Sequence, residues 1–241
     1  GILVMCLGNY QVAPSTVAKI LVGQIPGIHA DVTWPRAVET VVLHVRLPRT
    51  LGAMCVGAAL ALSGATYQGV FRNPLVSPDL LGVSAGACVG AASAILLHTG
   101  RASLQVMALA TGLAAVALAT FIPRLLRNTS TMTLILSGVI VAGLMNSTLG
   151  LFKYIADPET ELADITYWMM GSFSLIKGSE LLMVAPVMAL AATILFAIRW
   201  RINLLSLGDQ QAKSLGVSLR STRLTTIVCS TALTGCAVCI S

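Results

Sequence analysis

The amino-acid sequence predicts an all-α, polytopic membrane protein, and two observations carry this prediction. The first is composition: 56% of the 241 residues are hydrophobic and 10% are charged, whereas soluble proteins carry roughly 25% charged residues. The second is that six long stretches contain no charge, namely residues 50–71, 82–97, 102–122, 132–152, 181–198 and 224–241. Because about 20 apolar residues cross a hydrocarbon core of roughly 30 Å, each stretch is predicted to be a transmembrane helix or close to one.

Both ends of the chain are predicted to be truncated. Residues 1–8, GILVMCLG, are apolar but too short to span, and they run directly into polar sequence. They are interpreted as the tail of a first helix. At the other end, the chain stops inside its last uncharged stretch. The sequence therefore predicts a single transmembrane domain over residues 1–241, with about seven transmembrane helices in view and more beyond Ser241.

Basic residues indicate an orientation for these spans. If the first span leaves the cytoplasm, the connectors predicted inside hold eight of the 15 Lys and Arg residues, and those outside hold the other seven. The stronger signal is local, because residues 199–223 carry five basic side chains and such clusters favour the cytoplasmic side. The net charge of +6 is accordingly attributed to connectors at the surface of a lipid bilayer, and no nucleic-acid partner is predicted.

The sequence predicts no catalytic residues, metal site or cofactor. Charged side chains inside membrane helices mark ion-coupled transport; none occurs in the six stretches, which disfavours the alternative of a gradient-driven carrier or channel. The chain also lacks HExxH and the GxxxxGK[ST] nucleotide loop. Its six cysteines lie in apolar runs, and the CxxC of Cys236 and Cys239 has no second ligand pair nearby. If the chain transports a solute, a partner must supply the energy.

Two polar connectors stand out between the apolar stretches. In the first, FRNPLVSPDLLG, Pro74 and Pro78 predict a tight, extended turn, and Asp79 is placed to cap the following helix. The alternative interpretation is an ordinary capped turn. In the second, residues 199–223, Gly208 and Gly216 interrupt a mixed apolar and polar sequence, which predicts short helices that present a face to a cytoplasmic partner. The alternative is a helix lying passively on lipid headgroups.

Two further patterns predict local packing. Glycines at positions 82, 86 and 90 are four apart, a spacing that lets membrane helices approach closely. Residues 155–173 combine an acidic stretch with Tyr167 and Trp168, which predicts a short helix at the outer membrane interface.

Four short sequence motifs resemble the FecCD family of ABC importer permeases for iron-siderophores, haem and cobalamin. They are RLPR at 46–49, QGVFRNPLVSPDLLGVSAGA at 68–87, YWMMGSF at 167–173 and LSLGDQQAKSLGV at 205–217. The resemblance implies ten helices per subunit, a second permease copy or paralogue, cytoplasmic ATP-binding subunits, an extracytoplasmic substrate-binding protein and a bacterial cytoplasmic (inner) membrane. It implies uptake of ferric siderophores, with cobalamin, haem or molybdate as alternatives.

The resemblance also implies roles for particular residues. Arg46 and Arg49 would dock the binding protein, although anchoring to lipid headgroups is the alternative. Asn73, Leu75 and Thr131 would contribute to a cytoplasmic gate. The residues implied to couple the permease to the ATPase are Leu205, Leu207, Gly208, Asp209, Gln210, Ala212, Leu215 and Gly216.

Overall fold

A computed structural model describes residues 5–6, 12–24, 34–127, 130–176 and 178–241. Most of the described residues are helical and none lies in a β-strand, which confirms the predicted all-α class. The elements are α1 (Pro14–Val22), α2 (Arg36–Thr40), a π-helical turn (Val41–Arg46), α3 (Leu47–Phe71), α4 (Val83–Leu96), α5 (Arg101–Leu125), α6 (Thr131–Ile155), α7 (Glu161–Met170), a 3-10 turn (Phe173–Leu175), α8 (Gly178–Ala197), α9 (Arg199–Leu207), α10 (Asp209–Ser214) and α11 (Leu219–Ile240).

Five helical stretches within the described residues are long and apolar enough to cross a membrane. They are Arg36–Phe71, Arg101–Leu125, Met132–Ile155, Glu180–Ala197 and Leu219–Ile240, and they match five of the predicted spans. The span predicted at residues 82–97 is the 14-residue helix α4, which at about 1.5 Å per residue is shorter than a hydrocarbon core of roughly 30 Å. The tail of a first span, predicted at residues 1–8, lies mostly outside the described residues.

The second predicted span, residues 50–71, belongs to a helix that begins well before its uncharged stretch. A continuous helical stretch runs from Arg36 to Phe71, about 54 Å at 1.5 Å per residue, so it extends well beyond a hydrocarbon core. Pro48 lies in the first turn of α3, directly after the π-helical turn. Proline lacks an N–H and collides with the carbonyl four residues earlier, and the wider π turn accommodates it without ending the helix.

Glycine allows α4 and α5 to pack closely. A Cβ atom added to Gly90 would collide with the side chain of Thr111 and the carbonyl of Met107, and one added to Gly86 would lie 2.8 Å from the carbonyl oxygen of Thr111. Small residues four apart let helix backbones approach in a membrane. The packing role predicted from the glycine spacing is confirmed for these two residues.

Helices α3 and α11 meet along a row of buried hydroxyls, here called the hydroxyl seam. Its members are Ser63, Thr66 and Tyr67 of α3 and Ser230, Thr231 and Thr234 of α11. Three hydroxyl pairs bridge the helices, at 2.8 Å (Ser63–Thr234), 2.7 Å (Thr66–Ser230) and 3.0 Å (Tyr67–Thr231). Such bonds between membrane helices contribute about 0.6 kcal/mol each. Because each of these hydroxyls has a defined partner on the other helix, the seam holds α3 and α11 in one register.

Helix α6 packs much less within the chain. Of the 18 most apolar consecutive residues in each helix, 22% are buried in α6 and 67% are buried in α11. Large apolar side chains such as Leu136, Ile140 and Leu144 face outward. Its first half does contact the chain, because a Cβ atom on Gly138 would collide with the carbonyl of Leu80. Helix α6 therefore presents an apolar face to lipid or to another helix.

Candidate functional site

The predicted site residues lie at two opposite ends of the long helices. The inner end carries the connector of residues 72–82 and the segment of α9 and α10, and the outer end carries the π-helical turn, the α4–α5 connection and α7. These names follow the orientation predicted from the basic residues. Polar contacts join separate elements at each end, for example Arg72 with Asp209 at the inner end and Arg49 with Ser174 at the outer end.

The connector of residues 72–82 begins with two tight turns. Arg72 ends α3 in a left-handed conformation (φ 52°), and the amide of Asn73 donates to the carbonyl of Gln68. Oδ1 of Asn73 accepts the amide of Leu75 at 2.9 Å, which forms an Asx turn around Pro74. The Leu75 side chain is left 88% exposed. An apolar side chain on a well-braced turn thus faces away from the chain at the inner end.

Asp79 caps α4, as the sequence predicts. Its Oδ1 accepts the amide of Ser84 at 2.7 Å, and a carboxylate at a helix N-terminus satisfies free amides and complements the helix dipole. Within the same connector, Val76 and Leu81 share a buried cluster with residues of α6. Since α6 begins at Thr131, the backbone of this third predicted gate residue also lies at the inner end.

Glycine divides the predicted coupling segment into two short helices, which confirms that part of the sequence prediction. Helix α9 ends and α10 begins at Gly208, which has a φ of 130° that residues with a side chain rarely adopt. Gly216, with a φ of 78°, follows α10. The predicted coupling residues then separate by exposure. Leu205, Gly208 and Ala212 are buried against this chain, Asp209 is half-buried, and Leu207, Gln210, Leu215 and Gly216 are exposed.

Asp209 links three elements of the inner end through two arginines. Its Oδ1 and Oδ2 lie 2.8 and 3.0 Å from Nη2 of Arg223 in α11, and its Oδ1 lies 3.4 Å from Nη2 of Arg72. These contacts join the predicted gate connector to the predicted coupling segment. Neither arginine is among the site residues predicted from the sequence. The available signal was that Asp209 is the single acidic residue in residues 199–223, beside five basic ones.

Arg46 and Arg49 lie at the outer end, three residues apart on the long helical stretch. Nη1 of Arg46 donates to the carbonyl of Met5 and Nη2 of Arg49 donates to the carbonyl of Ser174, each at 2.6 Å. Arg46 is half-buried, whereas Arg49 is exposed. Both side chains therefore brace this chain. Because a guanidinium carries five N–H donors, the bond to Ser174 leaves Arg49 able to contact a second acceptor.

Long apolar helices joined by charged connectors define a multi-pass membrane protein. The model of the FecCD transport family matches residues 1–241. The chain therefore belongs to the FecCD transport family, and the resemblance found in the sequence is confirmed.

Several relatives are named for transport of different solutes. The molybdate import system permease protein MolB of Haemophilus influenzae is 37% identical over 98% of this chain and 68% of its own length. An iron chelatin transport system permease protein of Helicobacter pylori and the hemin transport system permease protein HmuU of Yersinia pestis are each 37% identical, over 85% and 83% of this chain. The chain spans 62% and 61% of the length of these last two relatives.

The fold also matches a solved structure. An ABC transporter described as of metal-chelate type, in an inward-facing conformation, superposes with a TM-score of 0.86 at 35% sequence identity. The match covers 100% of this chain and 71% of that one.

Proposed function

We propose that this chain is the membrane-spanning permease subunit of a binding-protein-dependent ABC importer in a bacterial cytoplasmic (inner) membrane. It would form a gated path together with a second permease copy or paralogue. Cytoplasmic ATP-binding subunits would supply the energy, an extracytoplasmic substrate-binding protein would deliver the solute, and this chain would perform no catalysis itself. The observation that carries the proposal is the match of the FecCD transport family over residues 1–241.

The exposed surface of the coupling segment supports contact with an ATP-binding subunit. Leu207 and Leu215 are 62% and 60% exposed at the inner end, beside the exposed polar side chain of Gln210. Burial of two leucines would stabilise a docked complex by roughly 1.5–3 kcal/mol per side chain. Leu205 and Ala212 are buried within this chain, so their part in coupling would be to hold α9 and α10 against the other helices.

The coupling role can be tested by placing charge on that surface. We expect Leu207→Glu with Leu215→Glu to weaken ATPase binding and to lower the transport achieved per ATP hydrolysed, because the interface would have to bury two carboxylates. The measurement is co-purification of the ATPase, followed by ATP hydrolysis and uptake in proteoliposomes. Leu97→Glu, at an exposed leucine of the outer end, is the matched control. Unchanged coupling in the double variant would remove this surface from the mechanism.

We also propose that Asn73, Leu75 and Thr131 contribute to the cytoplasmic gate. Support comes from the braced turn around Pro74 and from the 88% exposure of Leu75, since a constriction must keep its shape between states. Cysteines at positions 73 and 75, in a background without the native cysteines, should crosslink between two permease copies in one nucleotide state and less in another. Equal crosslinking in every state would argue for a passive turn.

Docking of the binding protein is proposed for Arg46 and Arg49. Arg49 gives the sharper test because it is exposed, whereas Arg46 is half-buried and bonded to Met5. Attraction to an acidic partner should raise the association rate and weaken with salt. We therefore expect Arg49→Glu to slow association in nanodiscs at low salt and much less at high salt, with Arg49→Lys, which keeps the charge, as the control. If Arg49→Glu associates as fast as the parent protein at both salt concentrations, lipid anchoring remains as the role of Arg49.

The proposed substrate is a ferric siderophore, with molybdate as a second candidate because the relative named for molybdate import aligns over 98% of this chain. The two solutes differ greatly in size, so a binding protein encoded beside this gene will separate them. Calorimetry of that binding protein with a ferric siderophore and with molybdate measures the choice. Binding of molybdate alone would overturn the siderophore assignment and leave the importer class intact.

A further inference from the structure

The inner end contains an ion-pair cluster that joins parts of the chain far apart in sequence. Arg72 and Asp209 are separated by 137 positions, yet Nη2 of Arg72 lies 3.4 Å from Oδ1 of Asp209. Arg223 reaches the same carboxylate from α11. The three residues belong to the end of α3, the start of α10 and the first turns of α11. Asp209 is therefore a charged contact between the proposed coupling segment and two long helices.

The backbone at Arg72 ties its side chain to the gate connector. Arg72 adopts φ 52° and the next amide, of Asn73, bonds back to Gln68. A left-handed conformation is unfavourable for a residue with a side chain, so it persists where surrounding contacts hold it. A pull on the Arg72 guanidinium consequently acts on the residue that precedes Asn73 and Leu75.

The two arginines hold Asp209 unequally. Nη2 of Arg223 lies 2.8 and 3.0 Å from the two carboxylate oxygens, and the Arg223 side chain is 25% exposed. The Arg72 pair is longer, and its side chain is 44% exposed. A longer, more solvated pair is weaker and exchanges more easily with water. Arg223 therefore forms the more permanent attachment to α11, and Arg72 forms the contact that a small movement of α10 can change.

Gly208 lies beside the Arg72 contact. A Cβ atom at this position would lie 3.7 Å from Nη1 of Arg72 and 2.6 Å from Oε1 of Gln211, and the φ of 130° disfavours any larger residue. The break between α9 and α10 thus requires glycine, and it places the start of α10 next to the Arg72 guanidinium.

We propose that Arg72 and Arg223 are positioning residues that act through Asp209: Arg223 fixes the coupling segment to α11, and Arg72 transmits movement of that segment to the gate connector. This inference rests on the proposed function, because it assumes that an ATP-binding subunit moves α10. It adds a physical connection between the gate connector and the coupling segment, and it assigns that connection to two arginines that belong to neither set of predicted site residues.

The test follows the connector directly and requires no transported solute. The complete transporter, with two permease copies and its ATP-binding subunits, is reconstituted in nanodiscs with a nitroxide on Ser77→Cys in each copy; Ser77 is exposed and lies on the connector. The distance between the two labels is measured by pulsed electron paramagnetic resonance without nucleotide and after trapping with ATP and vanadate. We expect a nucleotide-dependent shift in the parent protein. The shift should be reduced in Arg72→Gln and kept in Arg72→Lys, which retains the charge.

Two controls separate transmission from general damage. Arg101→Gln removes one guanidinium from the Arg101–Glu180 pair at the outer end, where the two charged atoms are 3.7 Å apart, and it should keep the shift. Because Arg72 acts through Asp209, the double variant Arg72→Gln with Asp209→Asn should resemble Asp209→Asn alone. An unchanged shift in Arg72→Gln, or additive losses in the double variant, would overturn the proposal. If Arg72→Gln does not assemble, loss of the shift in Arg72→Lys would also overturn it.

The same experiment distinguishes this inference from the proposed function. A parent protein that fails to bind the ATP-binding subunits, or whose connector does not respond to nucleotide, would refute the coupled importer itself. A parent protein that responds, with an Arg72→Gln variant that responds equally, would refute only the role of the arginine.

Discussion

Helix α4 and the outer half of α6 both contain glycines, but these glycines occupy opposite environments. Gly86 and Gly90 of α4 lie so close to α5 that a Cβ atom would collide with its backbone, whereas no described atom lies within 4 Å of a Cβ atom placed on Gly143 or Gly150 of α6. A small residue every four positions shows that another helix can approach closely. Small residues in a helix therefore do not reveal whether the approaching helix belongs to the same chain.

The apolar side chains of α6 extend the same contrast. Leu136, Val139 and Ile140 are each more than half exposed, and α11, of comparable length, is largely enclosed by the hydroxyl seam and its neighbours. In a membrane both situations are stable, because lipid tails are as apolar as leucine. The face of α6 is thus available to lipid, or to a second permease copy in the proposed importer.

The largest expected effect comes from filling the contact between α4 and α5. Gly90→Leu should lower the free energy of unfolding by about 3 kcal/mol, since it forces atoms into a packed helix contact. Gly143→Leu, the matched change on α6, should alter it by less than about 0.5 kcal/mol because that position is open. Denaturant unfolding of the purified chain in detergent measures both. Equal destabilisation by the two variants would contradict the contrast.

A smaller effect is expected when the hydroxyl seam is broken. Ser63→Ala with Thr234→Val removes a buried interhelical pair and should lower the free energy of unfolding by about 1 kcal/mol. Ser147→Ala is the control, because that exposed hydroxyl donates to the carbonyl of Gly143 in its own helix, and it should have no measurable effect. If the control destabilises the chain as much as the double variant, the seam has no special role.

The smallest effect concerns the outer end of α6, which local hydrogen bonds hold in place. Asp157 accepts the amides of Glu159 and Thr160, and these bonds lower the pKa of its carboxyl group below the usual value. A lowered pKa means that the stabilisation is complete above the unfolded pKa and is lost as pH falls through the folded one. Hydrogen exchange at the Glu159 and Thr160 amides, corrected for intrinsic rates, should become less protected well below about pH 4. In Asp157→Ala that pH dependence should vanish; its persistence would assign the effect to another group.

The sequence by itself determined the class, the family and most of the elements. A bilayer accepts only helices or closed barrels and excludes unpaired charge. The uncharged stretches therefore predicted the five long apolar helices of the described residues. Local backbone rules were equally informative: Gly208 separated α9 from α10, and Asp79 capped α4. Three of the four family motifs include a break between helices, where proline restricts the backbone and glycine permits conformations that other residues rarely adopt.

Tertiary structure alone decided which faces are enclosed and which charges meet. The uncharged stretch places the second span at residues 50–71, but a π-helical turn before Pro48 joins it to α2 and the helical stretch begins at Arg36. The pairing of Arg72 with Asp209 joins residues 137 positions apart, and no local rule specifies such a contact. Burial of Gly90 and exposure of Gly143 follow from where α5 lies, since helix packing depends on neighbours that a helix's own sequence does not identify.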